Sequence, residues 1–229
     1  MVFTNRAGGA SSCPYDSFNL GSHVGDNPSH VRENRHRLAA SVGLDPEQIV
    51  WMEQLHTNTV TAVTGQHPEP VPATDALVTA TRGLALAVLV ADCVPVLLAD
   101  HVHGVVAAAH AGRAGARNGI IRLTVEKMLD MGARPDNIQV LLGPAASGQR
   151  YEVPDEMATD VEKHLPGSHT RTLDGTPGID VRAGLTRQLL DMRIPNIQVD
   201  PRCTIADDTF FSYRREGTTG RQAGLVWLP

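Results

Sequence analysis

The chain has 229 residues, with 20 Lys and Arg against 25 Asp and Glu, a formal charge of −5 and 41% hydrophobic content. At roughly 100–200 residues per domain this describes one domain, residues 1–229, with material for a real core. The acidic balance leaves no broad basic face for nucleic acid, and the longest uncharged apolar run, residues 83–91, is too short to span a membrane.

In chain order, the first expected element is a helix. Asn27-Pro28 reads as an N-cap with proline in the first turn, and Val31, Arg35, Leu38 and Val42 share one stripe. Gly43 ends it, Asp45-Pro46 turns the chain, and residues 49–53 read as a strand. A strand-rich centre follows at 59–63, 76–80, 84–91, 94–99 and 105–109. Residues 100–104 are short enough for a hairpin, so part of the sheet is expected to be antiparallel, against a pure Rossmann arrangement. The continuous apolar run 84–91 implies a strand covered on both faces. The helix, turn and strand plan then recurs twice. Ile121, Val125, Met128 and Leu129 precede Gly132, Pro135 and a strand at 138–142; Val181, Leu185, Leu189 and Met192 precede Pro195 and a strand at 197–199. Residues 11–14, 66–73 and 166–177 have loop composition. The expected architecture is a layered α/β sandwich with a mixed sheet.

Chemistry-bearing residues collect at the ends of these strands. Asp92-Cys93 stands where a long apolar strand stops and Pro95 redirects the chain. His110 ends the next strand but one, ahead of Ala111-Gly112-Arg113-Ala114-Gly115. If the two strands 94–99 and 105–109 pair as a hairpin, Cys93 and His110 emerge near one edge, as a nucleophile with its base or as two metal ligands. His56, just past strand 49–53, is a third candidate. One Cys and two His would make a catalytic zinc site with its fourth position open to water. His101 and His103 form a second pair, but Asp100 is the one acidic residue beside them, and solvated hairpin residues are expected. Arg35 lies on an apolar helix stripe, placed either to snorkel, to form an ion pair or to meet an anion such as phosphate. Near the C-terminus, Phe210, Phe211 and Tyr213 stand beside Arg214 and Arg215, a cluster able to stack a flat base and hold an anion, or to form a core strand with a charged end. His23, His30, His36, His67, His164 and His169 lie in polar surroundings and read as surface residues. The three cysteines, Cys13, Cys93 and Cys203, are too scattered for a disulfide framework and are expected as thiols. The polar start after Met1 has no signal-peptide character, so a cytoplasmic location is expected.

At these residues the chain resembles a bacterial family first described as multicopper polyphenol oxidases (laccases) and later as zinc-dependent purine nucleoside phosphorylases with adenosine deaminase activity. The resemblance is carried by Gln54-Leu55-His56, Asp75-Ala76-Leu77-Val78-Thr79, Asp92-Cys93-Val94-Pro95, His110-Ala111-Gly112, Gly143-Pro144, Tyr151-Glu152-Val153 and the segment Cys203-Thr204 with Phe210 to Arg215. It implies an α/β sandwich, zinc held by His56, Cys93 and His110, and purine nucleosides with phosphate as substrates. It further gives Asp92 as a proton shuttle or support residue, Arg35 as a phosphate contact, and Phe211 with Arg214 as substrate-binding residues. Two places depart from the family pattern: Arg113-Ala114 stand where Trp-Arg is usual, and Thr57 where glycine is usual. Both bear on substrate positioning, not on the ligands. A copper-dependent oxidase, a metal-free Cys-His hydrolase and a non-catalytic zinc-containing binding protein remain as alternatives, since a Cys-His-His set accepts zinc and copper alike.

Overall fold

The computed structural model describes residues 1–229. After the short strand β1 (Val2–Phe3), helix α1 (Pro28–Ser41) starts where the Asn27 side chain accepts the Ser29 amide at 3.0 Å. Strand β2 (Ile49–Val50) is shorter than expected, because Met52 leaves the ladder to bridge with Val71. The strand-rich centre comprises β3 (Val60–Ala62), β4 (Ala76–Thr79), β5 (Ala85–Val90), β6 (Val94–Asp100) and β7 (Val105–Ala111). Helices α2 (Arg113–Arg117) and α3 (Ile120–Asp130) lead to β8 (Gln139–Leu142). Helix α4 (Asp155–His164) and strands β9 (His169–Arg171) and β10 (Pro177–Ile179) come next. The chain closes with α5 (Val181–Asp191), β11 (Asn196–Val199), α6 (Tyr213–Glu216) and β12 (Gln222–Trp227).

The single mixed sheet of the sequence reading is resolved into two. One has six strands in the order β11-β8-β6-β7-β4-β3, parallel at its two outer pairs and antiparallel within; the other has four, β1-β12-β5-β2. They lie face to face. Strand β7 explains how: Val106 and Ala108 turn toward Leu86, Val88 and Val226 of the smaller sheet, while Ala107, Ala109 and Ala111 turn toward Ile121, Val125 and Met128 of α3. The outer face of the smaller sheet, at Ala85, Ala87 and Leu225, is covered by Leu38 and Ala39 of α1. The result is a four-layer α/β/β/α sandwich in which full burial of a leucine such as Leu97 or Leu98 contributes about 2 kcal/mol. Residues 166–177, expected as a loop, contain β9, which pairs antiparallel with β10; three residues per strand are too few to override the Gly and Pro punctuation around them.

One connection positions the site. β5 belongs to the smaller sheet and β6 to the larger, so residues 91–93 carry the chain from one sheet to the other.

Candidate metal centre and substrate cavity

At that crossing the chain brings together the three residues singled out in the sequence. Pairing of β6 with β7 sets Pro95 opposite His110, which places Cys93 and His110 at the same edge of the sheet. His56 arrives from the segment after β2 in the other sheet. The ligand atoms of His56, Cys93 and His110 all lie within 4.8 Å of one another, with Cys93 Sγ 3.8 Å from His56 Nε2. Zinc with N and S ligands at about 2.0–2.3 Å holds its donors roughly 3.5 Å apart, so a shift of about 1 Å suffices to seat one ion. Gly112 clears the space: a Cβ there would stand 2.9 Å from His56 Cδ2 and 3.0 Å from Cys93 Sγ. A soft thiolate with two imidazoles is a donor set suited to zinc or copper, and the residues fit a metal.

Asp75, at the foot of β4, organises this group and was not picked out as a site residue from sequence. It is fully buried. Its Oδ1 accepts from His110 Nδ1 at 2.8 Å and from the His56 amide at 3.1 Å; its Oδ2 accepts from the amides of Leu55 and Thr57 and from Thr57 Oγ1 at 2.7 Å. One carboxylate thus fixes the His110 ring, leaving Nε2 for a ligand role, and gathers three successive amides around His56. Those amides hold His56 in the left-handed region at φ 61°, a conformation that costs about 1 kcal/mol or more without such support. Thr57, one of the two departures from the family pattern, supplies a hydroxyl to the same oxygen.

The electrostatics follow from packing three titratable groups together. Burial pushes the Cys93 thiol up, but the charges and hydrogen bonds of His110 and His56 outweigh it and bring the thiol down to about 6. Burial likewise opposes protonation of His110, yet Cys93 and Asp75 raise it to about 9. Asp75, despite burial, is held at about 2 by His110 and Thr57. The thiolate form that a metal requires is therefore favoured at neutral pH.

The triad opens into a cavity of about 520 Å³, a size that suits a nucleoside. Asp92 lines it in a left-handed conformation (φ 87°), its Oδ1 accepting from Thr204 Oγ1 and its Oδ2 from the Arg214 amide, both at 2.7 Å. Arg214 also lines it, with its guanidinium 4.9 Å over the Tyr151 ring. The expected roles of Arg35 and Phe211 are not what the structure gives. Arg35 is not among the lining residues; its Nε and Nη2 donate to the Leu20 carbonyl at 3.0 and 2.9 Å, and its guanidinium lies 4.1 Å over Trp51. Phe211 is fully buried, packed against Gly220 and beneath the Arg6 guanidinium, and its amide and carbonyl are bonded by the Gln222 side chain. Sequence cannot separate an aromatic-basic cluster that stacks a ligand from one that anchors the core. Conversely, His23 and Arg221 line the cavity although neither was singled out. Burial, then the charges of Arg221, Arg35 and His110, lower the His23 imidazole. His103 sits at the hairpin tip, its Nδ1 2.8 Å from Asp100, as the turn reading expected. All three cysteines are free thiols.

The family model for multi-copper polyphenol oxidoreductase laccase matches residues 1–229. The chain belongs to that family. A purine nucleoside phosphorylase of Corynebacterium glutamicum is 62% identical over 231 residues, covering 100% of this chain and 94% of the relative. A purine nucleoside phosphorylase of Mycobacterium bovis is 55% identical over 227 residues, covering 99% and 91%. The crystal structure of the Bacillus licheniformis hypothetical protein YfiH superposes with a TM-score of 0.92 at 32% identity, covering 99% of this chain and 91% of that one. The family thus has an α/β sandwich in common with this chain, and relatives bearing an enzyme's name. No helix of the chain is long and apolar enough to cross a membrane.

Proposed function

We propose that this polyphenol oxidase family member is a cytoplasmic, zinc-dependent purine nucleoside phosphorylase that accepts adenosine, inosine and methylthioadenosine and also deaminates adenosine. The observation that carries the reading is the convergence of His56, Cys93 and His110 at a cavity whose other charged lining is mostly cationic, in a chain with relatives named for this activity. His56, Cys93 and His110 would hold the metal, which supplies Lewis-acid chemistry when bound. Asp75 keeps the His110 ring oriented through its Nδ1 proton. Arg221, beside His23, takes the place expected of Arg35 and faces the phosphate co-substrate. Asp92 positions the wall of the cavity by tying Thr204 and the Arg214 backbone to the sheet crossing. The Arg113, Tyr151 and Arg214 side faces the nucleoside.

The family's oxidase description is a weaker fit to this chain. Multicopper chemistry needs several metal positions, and the structure contains one group of three or more metal-ligating side chains. The test is chromatographic product analysis of zinc-loaded protein with adenosine, inosine and methylthioadenosine, each with and without phosphate. Free base formed only with phosphate is the expected result, together with phosphate-independent inosine from adenosine. Absence of product from all three would overturn the reading in favour of a Cys-His hydrolase or a binding protein.

A further inference from the structure

The cavity carries more cationic side chains than one inorganic anion uses, and it carries them in two sets. Arg221 directly precedes β12, whose Gln222 pairs with Val90, so it flanks the point where the chain leaves the smaller sheet. Its side chain packs on Gly21, and Nη1 is spent on the carbonyls of Thr219 and Gly220, leaving Nε and Nη2 for a ligand. Arg113, by contrast, follows β7 of the larger sheet, and Arg214 is drawn to the same side by its stack on Tyr151. Burial raises the Tyr151 phenol and the Cys93 charge adds to this, while Arg113 and Arg214 pull it back, and Arg221 does not enter. Arg221 feels Cys93 and Asp92 but neither of the other arginines. The two sets therefore stand on either side of the ligand triad, one on each sheet.

None of the three arginines pairs with a carboxylate; the arginine ion pairs of the chain all involve other residues. The one lining carboxylate beside the triad, Asp92, already accepts a bond at each oxygen. Arg113 makes no side-chain hydrogen bond to the protein, and it stands at a position where the family pattern has tryptophan. Guanidinium groups in a concave, half-dry site favour an anion that bonds them in pairs. Unneutralised, they would oppose the positive charge that develops on ribose as a glycosidic bond breaks. A phosphate bound at Arg221 leaves the second set unmatched.

Building on the phosphorylase reading, we infer that the preferred nucleoside brings its own anion: the substrate class is nucleoside 5′-monophosphates, with the 5′-phosphate held by Arg113 and Arg214 while inorganic phosphate occupies the Arg221 side. The reaction balances as ordinary phosphorolysis. The C1′–N9 bond breaks, phosphate oxygen forms the new bond to C1′, the base leaves with a proton, and the sugar departs as a 1,5-bisphosphate.

The test is calorimetric titration of the zinc-loaded protein with adenosine 5′-monophosphate and with adenosine, each in the absence and presence of saturating inorganic phosphate. The monophosphate should bind at least about tenfold more tightly than adenosine, and the advantage should survive saturating phosphate. In Arg113→Ala the affinity ratio should fall toward one; Arg113→Lys, which keeps the charge, should retain much of it. Equal affinities for the two ligands overturn the inference, and so does an advantage that phosphate abolishes, which would mean a single anion seat. Turnover of adenosine by the same preparation separates the two failures. Adenosine phosphorolysis without a monophosphate advantage sinks this inference alone, whereas neither binding nor turnover of adenosine or inosine sinks the phosphorylase reading along with it.

Discussion

Strand β7 has a buried carboxylate paired with an imidazole near each end, and the two pairs are nearly the same object. Asp75 and His110 meet at 2.8 Å, as do Asp100 and His103 at the hairpin before the strand, and both aspartates are fully buried. What differs is the company. Asp100 spends its remaining capacity on the amides of Val102, His103 and Arg134, so its work is to close a turn. Asp75 holds the amides around His56, and the imidazole it orients faces a thiol and a second imidazole across a cavity. A carboxylate-imidazole pair is therefore not a functional sign in itself; the second nitrogen of the ring decides.

That contrast can be broken by experiment, and the largest effect should come from the ligands. Cys93→Ala should abolish bound metal and lower turnover by about 10³-fold or more, the share of several kcal/mol that a Lewis acid provides. His103→Ala should leave both within about twofold, as metal analysis and product assays of the two proteins side by side will check. Metal retained by the Cys93 variant would end the assignment. Asp75→Asn and Asp100→Asn should next diverge. The first should weaken metal affinity by about 10–100-fold, as loss of a ligand's supporting carboxylate does; the second should lower the melting temperature and leave metal affinity alone.

A smaller effect is expected from Gly112→Ala, whose added methyl must displace His56 or Cys93 at a cost of about 1–3 kcal/mol, read as weaker zinc binding in a competition titration. In metal-free protein at pH 7, Cys93, with its thiol at about 6, should be alkylated by iodoacetamide quickly, and zinc should protect it. Alkylation that zinc does not slow would favour the hydrolase alternative. The pH dependence of stability sharpens the hairpin side. Asp100, although burial opposes ionisation, is depressed by its bonds to His103 and Arg134, so its contribution is complete above its ordinary value near 4. It is lost as pH falls through the lowered folded value, and acid denaturation curves of Asp100→Asn should be flatter in that range.

The sequence already contained the hairpin, the three helix-turn-strand units and the pairing of Cys93 with His110, because each rests on local periodicity or on a turn of fixed length. His56 was legible as a candidate, but its union with the other two depends on a second sheet folding over the first, which no spacing reports. Asp75 was visible only as a charge opening an apolar strand, and its five donors come from residues 55–57 and 110. The stripe holding Arg35 was read correctly as half-apolar; Trp51, which takes the guanidinium face, lies in the neighbouring layer. Phe211 and Arg221 were misjudged for the same reason, since both reach their places through loops whose paths local pattern does not encode.

The crossing at residues 91–93 has a mechanical consequence. His56 hangs from the smaller sheet, His110 from the larger, and Cys93 from the link between them, so an ion in this seat acts as a rivet through both halves of the sandwich. Its occupancy belongs to the native state alone and adds its binding free energy to the fold. Loss of the ion would free the two sheets to slide at the edge where the cavity opens, so the width of the cleft and the hold on the metal are one variable.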